Sequence, residues 1–350
     1  MCGHGGALSE CKGAKVTQNS KLDVGHLKRQ HLANFPTCLT AIHGFDENLN
    51  GTELLIKRDD LIDFGFGGNK VRGLEFILGD AKQKGADTLI TGAGVLSNHV
   101  RATAAAAAYA GLGMVAVYWG EEPKKCEGNH LLSRILGAEM HFTGSSDRSS
   151  VDRHMEKVAE DLRRAGRHPY CIPRGGACAL GVIGHILAVE EVAVQCRAFK
   201  TAPERVILAV GSGSTMAGWI LGSQILGLDW QIEGYTVSRS VEEVRVQVHR
   251  LALEAAKILG LDLPVSNQNI VIHDGVIGEG YGIPSPEGQR AIVAVARRQG
   301  IFFDPTYTGK AFAGMMKDAA RGRFSDLKSI LFLHTGGAPS IFTSGIEIFH

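Results

Sequence analysis

Apolar positions along the chain change their period repeatedly, and each change marks an element. Glu53-Leu54-Leu55-Ile56-Lys57-Arg58 is a strand-like run, after which Leu74, Ile77, Leu78 and Ala81 recur at i, i+3, i+4 and i+7. That switch predicts a strand, then a helix beginning close to Lys70. The alternation continues. Strands are expected at 88–91, 114–119, 139–143, 170–173, 205–210, 231–237 and 329–334. Helices are expected at 102–110, 130–136, 150–165, 181–196, 216–226, 241–259, 287–299 and 309–321. Gly111, Gly137 and Gly166 stop three of these helices, where a left-handed residue is favoured. Strand–helix alternation at this pitch implies mostly parallel sheets covered by helices. Ligands in such α/β folds bind beyond the carboxyl ends of the strands.

At 350 residues the chain is long enough for two lobes. Hydrophobic residues make up 44% and charged residues 21%, which places it among ordinary globular proteins. The formal charge of +1 gives no electrostatic case for nucleic acid or a membrane surface. No apolar run is expected to reach the ~18–20 residues that span a bilayer. Residues 1–20 are polar and Gly-rich without a signal-peptide core, so 1–22 is expected to be a loose tail. Seven cysteines without C-x-x-C spacing point to free thiols in a reducing compartment, and a cytoplasmic location is expected. The fourteen histidines include no H-E-x-x-H and no cysteine–histidine cluster, so no metal site is expected.

Four loop-to-helix junctions carry candidate chemistry. The first is Phe64-Gly65-Phe66-Gly67-Gly68-Asn69-Lys70. A lysine in a helix's first turn meets the positive end of the dipole, and glycines let a ligand approach the backbone closely. Both favour a neutral amine, which can attack a carbonyl as a Schiff-base lysine must. A solvated surface lysine is the alternative. The second is Val95-Leu96-Ser97-Asn98-His99, where a capped helix start suits a carboxylate; a plain N-cap fits equally well. His99 is expected to make a structural hydrogen bond. The third, Gly211-Ser212-Gly213-Ser214-Thr215-Met216-Ala217-Gly218, offers hydroxyls and backbone N–H groups that would cradle one phosphate. Its last glycine falls at 218 rather than 216, and no Walker lysine follows, so neither a dinucleotide nor a triphosphate fits. A tight-packing glycine turn is the alternative there. The fourth, Asp304-Pro305-Thr306-Tyr307-Thr308-Gly309-Lys310, joins Gly278-Glu279-Gly280-Tyr281-Gly282 in bringing two tyrosines into loops. These serve either as amphipathic packing or as proton donors and acceptors beside a substrate. Lys310 is expected in solvent. A nicotinamide site at Gly92-Ala93-Gly94 is disfavoured, because the third glycine and the acidic residue after the next strand are missing.

A Schiff-base lysine, a one-phosphate cradle and a carboxylate-capturing helix end together suggest pyridoxal phosphate and an amino acid. Gly67-Gly68-Asn69-Lys70, Ser97-Asn98-His99, Gly213-Ser214-Thr215, Gly280-Tyr281-Gly282, 304–310 and His334-Thr335-Gly336-Gly337 resemble, in order, the motifs of the D-cysteine desulfhydrase/1-aminocyclopropane-1-carboxylate deaminase family. The resemblance covers roughly residues 27–342. It implies the fold type II, tryptophan-synthase β-like architecture: a large cofactor-binding domain of 23–72 plus 181–350 and a small inserted domain of 73–180, each an open, mostly parallel sheet flanked by helices. It implies pyridoxal 5'-phosphate as cofactor, a small amino acid as substrate and a homodimer. Lys70 would hold the cofactor and move the α-proton, with Asn69 beside it. Asn98 would bond the ring hydroxyl, and Ser212, Gly213, Ser214 and Thr215 would hold the phosphate. Thr335 would face the pyridine nitrogen. Ser97, Asn98 and His99 would take the substrate carboxylate, and Tyr281, Tyr307 and Thr308 would line the substrate side.

A neutral Thr335 makes the ring a weaker electron sink, sufficient to expel a leaving group from Cβ. The resemblance also gives Thr308 weight, since the deaminase branch carries glutamate there and the desulfhydrase branch threonine. Both favour α,β-elimination over cyclopropane opening. Two positions depart from the family pattern: Leu96 replaces the usual glutamine and Gly73 the usual lysine. The first would remove a polar contact beside the substrate carboxylate, and the second a charge near the phosphate unless Arg72 replaces it. The expected activity is a pyridoxal-phosphate-dependent carbon–sulfur lyase acting on D-cysteine or a related β-substituted alanine. Alternatives are a deaminase of the cyclopropane amino acid, a lyase for cysteate or an S-substituted cysteine, a β-replacement enzyme, and a cofactor-binding protein without turnover.

Overall fold

The computed structural model describes residues 22–343. The tail expected at 1–22 lies outside them except for Leu22, which is buried. Described strands are β1 (Leu39–Ile42), β2 (Glu53–Arg58), β3 (Thr88–Ala93), β4 (Gly113–Tyr118), β5 (Glu139–Phe142), β6 (Pro169–Cys171), β7 (Arg205–Val210), β8 (Gln231–Thr236), β9 (Val271–His273) and β10 (Ser329–His334). The helices are α1 (Asp46–Leu49), α2 (Lys70–Gln83), α3 (Asn98–Ala110), α4 (Gly128–Ile135), α5 (Ser150–Arg164), α6 (Ala179–Phe199), α7 (Ser214–Leu226), α8 (Val241–Ile258), α9 (Pro286–Gln299) and α10 (Thr308–Ala319).

The strands form two sheets. The larger runs β1-β2-β10-β7-β8-β9, with β1 antiparallel to β2 and the other pairs parallel. The smaller runs β5-β4-β3-β6 and is parallel throughout. Strand periodicity divides the core: Val206, Leu208 and Val210 of β7 pack with α6, α7 and α8, while Ile207 and Ala209 pack with α9 and α10 on the other face. In the smaller sheet, α2 and α3 cover the face holding Leu89 and Met114, and α5 covers Ile90 and Val115.

Several elements differ from expectation. Strands β1 and β9 and helix α1 were not anticipated, being too short to show a period. Gly92 and Ala93, read as a turn, extend β3 by pairing with Val117 and Tyr118. Against the expectation of no apolar stretch of bilayer length, α6 is long and apolar enough by length and composition; most of it is buried in the protein. Helix α2 begins before the expected domain boundary at 72/73 and packs on α6 through bare backbone. A Cβ on Gly73 would stand 2.5 Å from the Gly181 carbonyl oxygen, and one on Gly184 would strike the Arg72 carbonyl. Gly184→Ala is therefore expected to lower unfolding free energy by about 1–3 kcal/mol, read as a lower urea midpoint; an unchanged midpoint would show that the helices separate freely.

Parallel connectivity sends the carboxyl ends of both sheets to one place. Ala93 ends β3 and the Ser97 loop follows it, Trp119 follows β4, Arg174 and Gly175 follow β6, Gly211 follows β7, Arg239 follows β8 and Thr335 follows β10. All of them line a single cavity of about 890 Å³, part of it open to solvent.

Candidate active site

Lys70 opens α2 and reaches into this cavity. Its amine donates to the Gly175 carbonyl (2.9 Å) and to Ser212 Oγ (3.2 Å). Burial pushes its pKa down to about 8. The amine rests on the 211–215 turn itself, and both line the same cavity. Arg101, buried in α3, holds the preceding loop by donating to the carbonyls of Gly65 and Gly67. Gly67 is bare for cause: its φ is +68° and a Cβ there would strike the Asp60 carbonyl.

The turn after β7 presents the N-terminus of α7, with Gly213 at the cap. Thr215 Oγ1 accepts from Asn69 Nδ2 at 2.8 Å, tying this turn to the residue before Lys70. Across the cavity, Ser97 caps α3 by accepting from the Val100 amide (3.3 Å). Asn98 Oδ1 accepts from Asn129 Nδ2 (2.8 Å), while Asn129 Oδ1 accepts from Arg101 Nε (3.0 Å). That chain fixes which end of the Asn98 amide is engaged and leaves its NH2 without a partner among the described residues. His99 Nε2 meets Thr91 Oγ1 (3.2 Å), and burial pushes its pKa down to about 3, so the ring is neutral.

Tyr281 and Tyr307 share a hydrogen bond of 2.8 Å at the cavity wall. Burial raises the pKa of both phenols, that of Tyr307 farther because Tyr281 adds to it. Their loops are held from behind. The Asp304 carboxylate accepts from the backbone N–H groups of Thr306, Tyr307 and Thr308. Lys310, expected in solvent, is fully buried, and its amine donates to the carbonyls of Ile277 (2.7 Å) and Gly280 (3.0 Å). It pins the Tyr281 loop, because a buried ammonium needs acceptors.

Asn69, Lys70, Ser97, Asn98, His99, Ser212, Gly213, Thr215, Tyr281, Tyr307 and Thr335 thus meet in one cavity. Ser214 and Thr308 do not present their hydroxyls to it. Ser214 Oγ donates to the Gly176 carbonyl (3.1 Å) and Thr308 Oγ1 to Asp304 (2.7 Å), since a buried hydroxyl takes the nearest acceptor. The two departures act as packing sites. Position 73 faces Gly181, and Leu96 Cδ1 lies 3.1 Å from where a Cβ of Gly282 would be. Arg72 does not replace the missing charge, because its guanidinium is bound to Asp59 and Glu191. Sequence reading missed Trp119, Arg148, Arg174 and Arg239 on the cavity wall and Asn129 behind it. No local signal marks them.

An amine-bearing cavity between two helix N-termini, at the strand ends of two parallel sheets, defines a class of enzyme that binds an aldehyde carrying a phosphate. The pattern of the pyridoxal-phosphate dependent enzyme family matches residues 31–336. Proteins provisionally named 1-aminocyclopropane-1-carboxylate deaminase from Pyrococcus abyssi and Pyrococcus horikoshii are each 41% identical over 298 residues, 85% of this chain and 88% of theirs. A crystal structure of an ACC deaminase homologue superposes with a TM-score of 0.85 at 37% identity, covering 91% of this chain and 95% of that one. The chain belongs to the pyridoxal-phosphate dependent enzymes of fold type II, in the family of the 1-aminocyclopropane-1-carboxylate deaminases and D-cysteine desulfhydrases.

The residues present fit pyridoxal phosphate. Lys70 supplies the amine, the α7 turn supplies N–H groups and hydroxyls for a phosphate, and Asn98 has an NH2 without a partner among the described residues. Among the described lining residues no carboxylate opposes the phosphate charge.

Proposed function

We propose that the protein removes a β-substituent from a small amino acid by α,β-elimination, with D-cysteine the nearest model. With one water, D-cysteine would give pyruvate, hydrogen sulfide and ammonia. One observation carries this reading: the Tyr281–Tyr307 hydroxyl pair shares its cavity with the Lys70 amine, and no carboxylate is among the described lining residues.

When bound, the cofactor supplies a sink for the electron pair left as Cα loses its proton. Lys70, with a pKa near 8, takes that proton as a neutral amine and holds it as ammonium. The pair then forms the Cα–Cβ double bond while the Cβ–S bond breaks. Tyr307 stays protonated far above neutral pH, so it can give its proton to the departing sulfur, with Tyr281 hydrogen-bonded to its oxygen. Water hydrolyses the released 2-aminoacrylate to pyruvate and ammonia. Ser97 and the first amides of α3 would orient the substrate carboxylate, and Thr335, on the cavity wall, would offer the cofactor ring a neutral hydroxyl.

The names of the Pyrococcus relatives favour a second reading, opening of the cyclopropane amino acid. Holoenzyme should release pyruvate and sulfide from D-cysteine in equal amounts. A higher kcat/KM for 2-oxobutanoate formation from 1-aminocyclopropane-1-carboxylate would overturn elimination in favour of ring opening. Tyr307→Phe is expected to lower kcat about 10²–10⁴-fold with the cofactor absorption band intact. An unchanged kcat would remove Tyr307 from the proton path.

A further inference from the structure

We infer that the outer end of this cavity selects amino acids whose β-substituent carries a second negative charge, read by Arg148 and Arg239. The inference deepens the elimination reading and rests on it for the α-amino acid frame of the substrate. In that reading two anions are already provided for: the phosphate at the start of α7 and the α-carboxylate at the start of α3. The outer wall nevertheless gathers three guanidinium groups, from the loops after β5, β6 and β8. Arg174 is neutralised by Asp152 through bonds of 2.9 and 2.7 Å. Arg148 and Arg239 have no ion pair among the described residues.

Arg148 is held ready for a ligand. Its guanidinium carbon lies 5.5 Å from the Trp119 ring centroid and 5.4 Å from that of Tyr281, which packs the side chain against two aromatic rings that also meet each other at 5.9 Å. Among the described residues its one side-chain hydrogen bond is a long one to the Ser238 carbonyl (3.4 Å), so most of its five N–H donors are unspent. Arg239 is half-buried, and its side chain makes no hydrogen bond among the described residues. Burial first, then Arg174 and to a lesser extent Arg148, push its pKa down, while Glu243 and Tyr307 oppose them. The Glu243 carboxylate is itself engaged by Ser240, at 2.9 Å to the amide and 2.7 Å to the hydroxyl. Glu243, exposed to solvent and not in contact with either guanidinium, offsets these charges only in part, so they repel one another and a bound anion relieves them. Because Arg148 stacks on Tyr281, the partner of Tyr307, that anion falls just beyond the group leaving Cβ. A carboxylate- or sulfonate-tipped substituent has the chemistry to occupy it.

The test uses two ligands that differ in charge and hardly in shape, S-carboxymethylcysteine and S-carbamoylmethylcysteine, each as both enantiomers. Dissociation constants are read from the change in cofactor absorbance of the holoenzyme, which needs no turnover. The carboxylate should bind about tenfold tighter, the worth of one charge-assisted hydrogen bond. The ratio should collapse towards one in Arg148→Gln, fall in Arg239→Gln, and shrink as salt rises. Equal binding by the wild-type protein would overturn the inference, as would a preference that survives in both variants. Pyruvate release from β-chloroalanine, whose substituent is neutral, separates the two levels. Release with a ratio of one sinks the charge reading alone; the expected ratio without release sinks elimination and leaves the anion subsite standing.

Discussion

Lys70→Ala abolishes the yellow absorption band of cofactor-loaded protein and lowers pyruvate release by at least about a thousandfold. Lys70 carries the one amine among the described lining residues, so no neighbour can replace it. Its reactivity comes from the setting. With a pKa of about 8, roughly a tenth of the amine is neutral at pH 7, against roughly one part in three thousand at an ordinary lysine pKa. The neutral form is the one that attacks an aldehyde. The rate of cofactor uptake by apoprotein should therefore rise about tenfold per pH unit up to pH ~8 and then level off. A rate still climbing tenfold per unit at pH 10 would show an unperturbed amine. Residual turnover by Lys70→Ala at a tenth of wild type would move the proton transfer to another residue.

Glu191→Gln lowers unfolding free energy by about 3–5 kcal/mol, the cost of leaving buried charge uncompensated. Glu191 of α6 accepts from Lys57 of β2 and from Arg72 of α2 (2.9 Å), and Arg72 also binds Asp59 (2.7 Å). Two cations and two carboxylates balance in a buried cluster. Lys57 is almost wholly buried, and burial drives its pKa down although Glu191 and Asp59 oppose this. Removing the Glu191 charge leaves one carboxylate for two cations beside the helix that carries Lys70. Urea unfolding of the apoprotein reads the change directly. A loss below about 1 kcal/mol would mean that the cluster reorganises or that Lys57 gives up its proton.

Legibility in the sequence followed the range over which each signal acts. Helices such as α5 and α8 carry their own period, and α8 a capping box between Ser240 and Glu243, so local pattern placed them closely. Strands of three or four residues, such as β1 and β9, show no period and owe their existence to neighbours. The site motifs were readable because turn and cap chemistry is local: Gly213 and Ser97 announce helix starts whatever surrounds them. Long-range convergence was invisible. Lys310 looks like any helix-surface lysine until the 277–281 loop closes over it. Arg148, Arg174 and Arg239 lie in three separate loops, and only the joining of the two sheets at their carboxyl ends gathers them. Position 73 shows the same limit, since the need for glycine there comes from Gly181, more than a hundred residues away.

The account stands on the Lys70 amine taking up the aldehyde of pyridoxal phosphate. Borohydride reduction of the loaded protein, followed by peptide mass mapping, reads that bond. One phosphopyridoxyl group on the peptide containing Lys70, with none on Lys57 or Lys310, is the predicted result. Label on another lysine, or no label on protein saturated with cofactor, would contradict it.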